Sequence, residues 1–308
     1  TEVDVEIVAG APPVISFTAL TSAKYNTDQN FLVLKSSVSS PLSYSAVWSA
    51  DNSDVSSVFA VKGSYVSSVS NKLRVVLGLS LLTEGETYTL VLTATDSDSV
   101  SSYSTISVTM NEPPSGGSLD VSPTSGYALE TSFTFTATLW NDDDLPFTYI
   151  FGTTDVNSDG SLDTTTLNPF GDERFEATFP SVTLSSGVNS TNYTVGGYTE
   201  VIDSYGAVGD ATTSLRVRTR SLTVLQLQNI SETKATNALN SENHDLTKQI
   251  LKATTRGMRS TRAAGQSNQG RMLLGAVTDA EALRASVLAN LWATYAITPI
   301  TVSDVASL

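Results

Sequence analysis

The stretch GETYTLVLTATD, residues 85–96, alternates apolar and polar side chains through Leu90, Leu92 and Ala94 and ends in an acidic turn. Alternation with a period of two over this length predicts a half-buried β-strand. We assign it as the penultimate strand of a sandwich, with Tyr88 near its start. Six further short runs with turn residues between them surround it, at residues 14–18, 31–35, 42–48, 64–69, 73–77 and 105–110. About seven short strands in about one hundred residues predict an immunoglobulin-like or fibronectin-like β-sandwich.

A pair of prolines recurs after 101 residues and indicates that this unit is repeated. Pro12 and Pro13 follow a valine-rich run, and Pro113 and Pro114 follow the last strand of the first sandwich. Proline cannot donate a hydrogen bond to a β-ladder, so each pair terminates a strand. We therefore expect the last strand of a preceding module in residues 1–11, sandwiches in 12–111 and 112–220, and a chain that is part of a longer one. Two pairs of residues support the repeat, Trp48 with Trp140 and Asp96 with Asp203.

The composition changes after Arg220 and predicts helices in residues 221–308. Residues 222–252 are rich in Ala, Leu, Glu, Gln and Lys, and a capping box at Thr278 predicts a second helix. A basic loop, residues 256–271, lies between them and carries four arginines, Arg256, Arg259, Arg262 and Arg271. The predicted fold class is mainly β: tandem immunoglobulin/fibronectin-like sandwiches followed by a helical C-terminal segment.

Composition excludes most catalytic and metal-binding chemistry. Among 308 residues there are 85 Ser and Thr, no Cys and one His. A Cys-His nucleophile, a thiolate zinc site and a multi-histidine site are therefore impossible. We interpret His244 as a surface residue, because no Gly-x-Ser-x-Gly elbow accompanies it. No motif fixes a pair of carboxylates across a cleft, so we expect no enzyme activity.

Charge and hydropathy restrict the partners. The formal net charge is −14, and residues 1–220 hold 25 acidic and 9 basic residues, a balance of −16. This balance argues against nucleic acid and anionic lipid and favours cations. No run approaches the roughly 18 apolar residues of a membrane span. We expect membrane contact only through segments outside this chain.

The second sandwich carries an ordered series of short motifs. They are Pro-Pro, Gly116-Gly117, Ser-Pro-x-Ser-Gly-x-Ala-Leu over residues 122–129, and Trp-x-Asp-Asp-x-x-Pro-x-x-Tyr over residues 140–149. In this series the chain resembles the receptor-for-egg-jelly (REJ) region of polycystins, sperm receptors and large proteins of ciliated protists and algae. The resemblance is strong over about residues 105–220 and weaker over the first module. It implies an extracellular β-rich region without catalysis, at the cell surface and on ciliary or flagellar membranes, with a helical domain after it.

One acidic stretch matches the first half of a calcium loop. Residues 155–163 fit the pattern D-x-[DN]-x-[DN]-G, with Asp155, Asn157, Asp159, Ser161 and Asp163 as candidate ligands. Position twelve is Thr166 and not the usual Glu. A loop rich in residues that favour turns is the alternative. We interpret residues 141–144, Asn-Asp-Asp-Asp, as a solvated turn whose aspartates have a structural role.

Three sequons predict N-linked glycans, at Asn189, Asn192 and Asn229. The first two lie so close together that simultaneous occupancy would be sterically awkward.

Two classes of function remain open. The favoured one is a non-catalytic extracellular segment that serves as spacer, adhesion or assembly module and binds other extracellular chains or copies of itself. The alternative is a glycan-binding β-sandwich. That alternative needs a strip of exposed aromatic rings, and the candidates are Tyr65, Tyr103, Tyr127 and Tyr205.

Overall fold

The structure is a computed structural model that describes residues 11–50, 64–67, 71–156, 162–168, 172–220 and 222–240, with 246–247, 249–251 and 253–254. The chain divides into two compact units, residues 1–113 with 205–207, and residues 114–204 with 208–308. No helix in the described ranges is both long and apolar enough to cross a membrane.

The first unit is a sandwich of a three-stranded and a five-stranded sheet. The smaller sheet has the order β1-β3-β6, and the larger has the order β2-β8-β7-β4-β5. The strands are β1 (Val14–Phe17), β2 (Lys24–Tyr25), β3 (Phe31–Ser39), β4 (Tyr44–Ala50), β5 (Ser64–Ser67), β6 (Asn71–Gly78), β7 (Thr87–Asp96) and β8 (Ser101–Met110). All pairs are antiparallel except β2 with β8.

The second unit repeats this topology strand by strand. Its sheets have the orders β9-β11-β14 and β10-β16-β15-β12-β13, so each strand of the first unit corresponds to the strand eight positions later. The strands are β9 (Ser118–Ser122), β10 (Ser125–Tyr127), β11 (Ser132–Thr138), β12 (Thr148–Val156), β13 (Leu162–Thr166), β14 (Thr178–Thr183), β15 (Thr194–Ile202) and β16 (Val208–Arg218). The parallel pair recurs as β10 with β16.

In the first unit the inward residues of the two sheets meet in a core that Trp48 joins. Two clusters of buried residues, one around Leu34 and Leu90 and one around Tyr44 and Leu92, both pack against Trp48. The Tyr88 hydroxyl accepts a hydrogen bond from the Thr83 amide at 2.9 Å. A tyrosine at the start of the penultimate strand that bonds back to upstream backbone is the tyrosine corner of immunoglobulin-like sandwiches.

In the second unit three phenylalanines form the centre of the core. Phe133, Phe135 and Phe151 are completely buried between the two sheets. Burial of side chains of this size contributes about 1.5–3 kcal/mol each to folding. The alternation that places Phe133 and Phe135 on one face of β11 therefore fixes the orientation of that strand.

A helix, α1 (Val224–Asn240), follows the second sandwich. The Thr223 hydroxyl accepts the Gln226 amide at 3.2 Å, and the Gln226 side chain accepts the Thr223 amide at 3.0 Å. This reciprocal capping box begins the helix. Its apolar side packs in a cluster with Leu129 of the sandwich and Ile250.

The predicted fold class is confirmed, with two corrections. The short strands β2 and β10 were not expected, since two or three residues show no periodicity. Trp48 lies on β4, whereas Trp140 follows β11, so the pairing of these tryptophans was wrong. Asp96 ends β7 and Asp203 directly follows β15, so that pairing is correct. The predicted strand at residues 1–10, the second helix, the basic loop and His244 lie outside the described residues.

Candidate metal centre

Three aspartates converge at one end of the second sandwich. Asp142 and Asp144 lie in the loop that joins β11 to β12, and Asp203 directly follows β15. Each offers one carboxylate oxygen, and the three oxygens lie within 4.8 Å of one another. Asp203 is only 5% exposed, and Asp142 and Asp144 are partly buried.

Main-chain hydrogen bonds hold this loop in shape. The Asp142 Oδ1 accepts the Asp144 amide at 2.9 Å, which is an Asx-turn. The Asp144 carbonyl accepts the Ser204 amide at 3.0 Å and so ties the loop to the end of β15. Asn141 and Ser115 exchange both backbone hydrogen bonds, at 3.0 and 3.1 Å. The positions of the three carboxylates are thus set by backbone and not by long flexible side chains.

The Trp140 ring, which lies two residues before Asp142 in the chain, packs closely against two glycines, one of them Gly117 of the two-glycine motif. A Cβ added at Gly117 would lie 2.2 Å from the Trp140 ring, and one at Gly209 would lie 2.8 Å from it. Both distances are shorter than carbon atoms tolerate. Glycine at Gly117 therefore leaves room for the indole, and glycine at Gly209 leaves room for both the indole and the Pro114 carbonyl, which a Cβ would approach to 2.0 Å.

The electrostatics of the cluster favour a cation. Two carboxylate charges 4.8 Å apart repel each other by about 3 kcal/mol at an effective dielectric constant of about 20. The Asp142 Oδ2 is buried and has no hydrogen-bond partner among the described residues. A buried oxygen of this kind is costly unless a proton donor or an ion lies next to it.

The donor set fits calcium. All three side chains offer hard oxygen ligands, the type that calcium prefers. Calcium binds oxygen at about 2.3–2.6 Å, so two of its ligands can stand up to roughly 5 Å apart. The 4.8 Å limit of this cluster lies within that range. Asp142, Asp144 and Asp203 would hold the ion and link the β11–β12 loop to β15.

The calcium loop predicted at residues 155–163 connects two antiparallel strands. Asp155 of β12 and Asp163 of β13 are directly opposite in the register. Asp155 is buried, and one of its oxygens accepts the Ser185 hydroxyl at 3.1 Å. Asn157, Asp159, Ser161 and the side chain of Asp163 lie outside the described residues, so this calcium loop stays a prediction.

The sequon asparagines are exposed. Asn189 begins a short 3-10 helix, Asn189–Thr191, and Asn192 follows it in the left-handed region with a φ of 56°. The Arg216 guanidinium donates to the Asn192 carbonyl at 3.0 Å. Asn229 lies on α1. Solvent therefore reaches all three side chains, and their glycosylation stays a prediction.

The aromatic strip needed for glycan binding does not form on either unit from the rings that are described. Tyr103 is 74% exposed on β8 of the first unit, and Tyr127 is 42% exposed on β10 of the second. Tyr205 is partly buried, and the side chain of Tyr65 lies outside the described residues.

The sequence alone did not indicate Asp142, Asp144 and Asp203 as a candidate metal centre, because these residues are far apart in the chain. Residues 141–144 were interpreted as a solvated turn whose aspartates have a structural role; in the structure Asp143 is exposed, and Asp142 and Asp144 are half-buried. One feature of the sequence pointed to Asp203: it has a repeat partner, Asp96, at the end of the penultimate strand of the first unit. In the second unit the corresponding strand, β15, is the neighbour of β12 in the sheet.

Comparison with known proteins identifies a family and several solved structures of low sequence identity. A model of the REJ domain matches residues 1–256. No curated protein matches the chain. Among solved structures, a 1.5-MDa bacterial ice-binding adhesin is 15% identical, with a TM-score of 0.36 over 68% of this chain and 66% of the other.

Two other solved structures have similar values. A Ca²⁺-stabilized adhesin that helps an Antarctic bacterium reach out and bind ice is 16% identical, with a TM-score of 0.40 over 70% of this chain and 51% of the other. Murine CEACAM1b is 13% identical, with a TM-score of 0.28 over 67% of this chain and all of the other, 100%.

Proposed function

The chain belongs to the REJ domain family, and we propose that it is a non-catalytic spacer and assembly segment in the extracellular part of a large polycystin-like surface protein. Its repeated sandwiches support a structural role, because each unit presents sheets and loops to solvent and shares one topology. The cilium or flagellum is the proposed location of the whole protein. Other extracellular chains or copies of this chain are the proposed partners.

Calcium is the proposed cofactor of the second unit, bound by Asp142, Asp144 and Asp203. The observation that carries this proposal is the convergence of three carboxylates within 4.8 Å, one of them on a residue only 5% exposed. Bound calcium cancels their mutual repulsion and joins the β11–β12 loop to the end of β15. The function of the ion is mechanical: it stiffens one end of a sandwich in a protein that lies in a calcium-rich medium.

Calorimetric titration of the full chain with CaCl₂ tests the ion. We expect binding that Asp142→Asn and Asp203→Asn each weaken by at least about tenfold, since each removes one charged ligand. Asp143→Asn is the matched control, because it removes the same charge from an exposed neighbour. At a calcium concentration of about one hundred times Kd, binding stabilises the folded chain by about 2.7 kcal/mol. Equal affinities for Asp142→Asn and Asp143→Asn would contradict the site.

The predicted loop at residues 155–163 is tested separately in the same titration. A loss of calcium binding in Asp159→Ala, with no loss in Asp142→Asn, assigns the ion to that loop. We also expect at least one glycan on Asn189, Asn192 or Asn229 when the chain is secreted. A mass shift on glycosidase treatment of chain secreted from eukaryotic cells checks it, and an unchanged mass would contradict it.

A further inference from the structure

One outer sheet face of the first unit combines exposed apolar and basic side chains. On β3 the exposed residues alternate with buried ones, so Phe31, Val33 and Lys35 point away from the core. Phe31 is 66% exposed and Val33 is 45% exposed. Arg74 of β6 is exposed and lies directly opposite Lys35 in the register. We call Phe31, Val33, Lys35 and Arg74 the basic face.

The basic face holds two like charges side by side, and neither makes an ion pair with a described residue. Lys35 and Arg74 are cross-strand neighbours, and like charges in this arrangement destabilise a sheet. Their side chains make no ion pair within the described ranges, and the described outward positions of β1, β3 and β6 include no acidic residue. Residues 1–220 hold only 9 basic residues against 25 acidic ones. A basic pair without an ion pair in the described ranges, beside the exposed side chains of Phe31 and Val33, is typical of a binding surface.

The second unit carries a surface with the opposite character. Residues 172–176 expose Asp172, Glu173, Phe175 and Glu176, and Phe175 is 72% exposed. The Arg174 guanidinium is bound within the unit, at 3.0 Å from the Glu176 carboxylate and 4.7 Å from the centre of the Phe179 ring. We call residues 172–176 the acidic segment. Its formal charge is −2, and it presents one exposed phenylalanine, as the basic face does.

We propose that the basic face of one copy of the chain binds the acidic segment of a second copy. Both surfaces are solvent-exposed, their charges are opposite, and each offers an apolar ring that the other can cover. Because the two patches differ, the contact is heterologous and leaves one patch of each type free at the ends of a dimer. Repetition of this contact produces rings or linear arrays of chains. It gives the proposed assembly function a surface, but it does not depend on the calcium site.

Sedimentation velocity of the full chain in EDTA tests this contact. At about 50 mM NaCl we expect association that grows with protein concentration, and at about 500 mM NaCl we expect monomers. The Debye length falls from roughly 14 Å to roughly 4 Å between these conditions. The double variants Lys35→Glu/Arg74→Glu and Asp172→Lys/Glu173→Lys should each be weakened by at least about tenfold. Arg218→Glu, an exposed charge reversal on β16, is the control and should associate like the natural chain.

Mixing the two double variants gives the sharpest outcome. Each double variant repels its own copies, because its two surfaces then carry charge of the same sign. In the mixture the unchanged basic face of Asp172→Lys/Glu173→Lys can bind the unchanged acidic segment of Lys35→Glu/Arg74→Glu, so the mixture should associate although neither variant does alone. Circular dichroism and a melting curve verify that each variant is folded. A natural chain that is monomeric at both salt concentrations would overturn the proposal. The proposal would also be overturned if the chain does not self-associate but binds a sulfated polysaccharide, and Lys35→Glu/Arg74→Glu abolishes that binding.

Discussion

The side-chain amide of Asn168, the second residue after β13, links β12 to the acidic segment in the second sandwich. Its Nδ2 donates to the Tyr149 and Asp172 carbonyls, both at 2.8 Å, and its Oδ1 accepts the Phe151 amide at 2.8 Å. Asn168 is completely buried. The side chain continues the pairing of β13 with β12 after the strand itself has ended, and it fixes the start of the acidic segment.

The substitution Asn168→Ala leaves the buried Phe151 main-chain amide without its partner and removes one hydrogen bond each from the Tyr149 carbonyl, which keeps the Arg174 amide, and from the carbonyl of the exposed Asp172. The unsatisfied amide costs about 1–3 kcal/mol and each of the other two lost bonds about 0.5–1.5 kcal/mol, so we expect the free energy of unfolding to fall by about 2–6 kcal/mol. That is a large part of the roughly 5–15 kcal/mol that stabilises a typical domain. Asn168→Asp should be no better, because it keeps the acceptor for Phe151 but turns a carboxylate oxygen toward two carbonyls.

Calorimetric melting and hydrogen exchange measure the effect globally and locally. A loss of 3 kcal/mol lowers the Tm of a unit of this size by at least about 6 °C. The Phe151 amide should exchange faster in Asn168→Ala than in the natural chain. Thr164→Ala, at an exposed position on the neighbouring strand β13, is the control. If Asn168→Ala melts and exchanges like Thr164→Ala, the three hydrogen bonds do not stabilise this side of the sandwich.

Two further predictions concern a glycine and a lysine of the second unit. Gly117→Ala places a Cβ 2.2 Å from the Trp140 ring, so we expect the free energy of unfolding to fall by about 1–3 kcal/mol. The tryptophan emission and the calcium affinity should change with it. If both stay unchanged, the packing of Trp140 against Gly117 does not position the acidic loop. Burial lowers the pKa of Lys234, an effect that the nearby Glu130 carboxylate partly opposes. Its folded pKa thus lies below the unfolded value of 10.5, and stability should rise with pH between the two. The increase in Tm from about pH 8 to about pH 10 should be smaller in Lys234→Met than in the natural chain, and equal increases would refute the effect.

Local patterns predicted the sandwiches because each strand carries its own signal. Leu90, Leu92 and Ala94 mark the buried face of β7 in the sequence alone, and the structure buries all three. Turn residues and proline pairs separate the strands, so the class of fold follows without any long-range information. The strands β2 and β10 were missed because two or three residues are stabilised by pairing with a neighbour and not by their own pattern.

The metal centre could not be predicted in this way, because it depends on pairing over long distances. Asp142 and Asp203 are 61 residues apart, and only the antiparallel pairing of β12 with β15 brings them together. A local motif search instead favours residues 155–163, where acidic residues follow one another closely. Spacing in the sequence detects loops that bind an ion by themselves, but not sites that a sheet assembles.

The two units share the backbone of this site but not its charges. In the second unit Ser204 donates its amide to the Asp144 carbonyl at 3.0 Å, and in the first unit Ser97 donates to the Ser43 carbonyl at 2.9 Å. Each donor directly follows a buried aspartate, Asp203 and Asp96 respectively. The hydrogen bond between the loop and the penultimate strand is therefore a property of the repeated fold itself.

The side chains at this common backbone position differ in charge between the two units, and for this reason we expect calcium binding only in the second unit. Where the second unit has Asp144, the first has Ser43, which brings no charge. The Asp96 Oδ1 accepts the amides of Asp98 and Val100, at 3.0 and 2.9 Å, so a turn of its own chain neutralises part of this carboxylate. Its Oδ2, like the Asp142 Oδ2, is buried and has no hydrogen-bond partner among the described residues, so the difference between the units lies in the number of carboxylates. One buried carboxylate can be held by backbone amides, whereas three within 4.8 Å repel one another. We therefore expect calcium to raise the stability of the second unit, whose loop carries two more aspartates, and to leave that of the first unit unchanged.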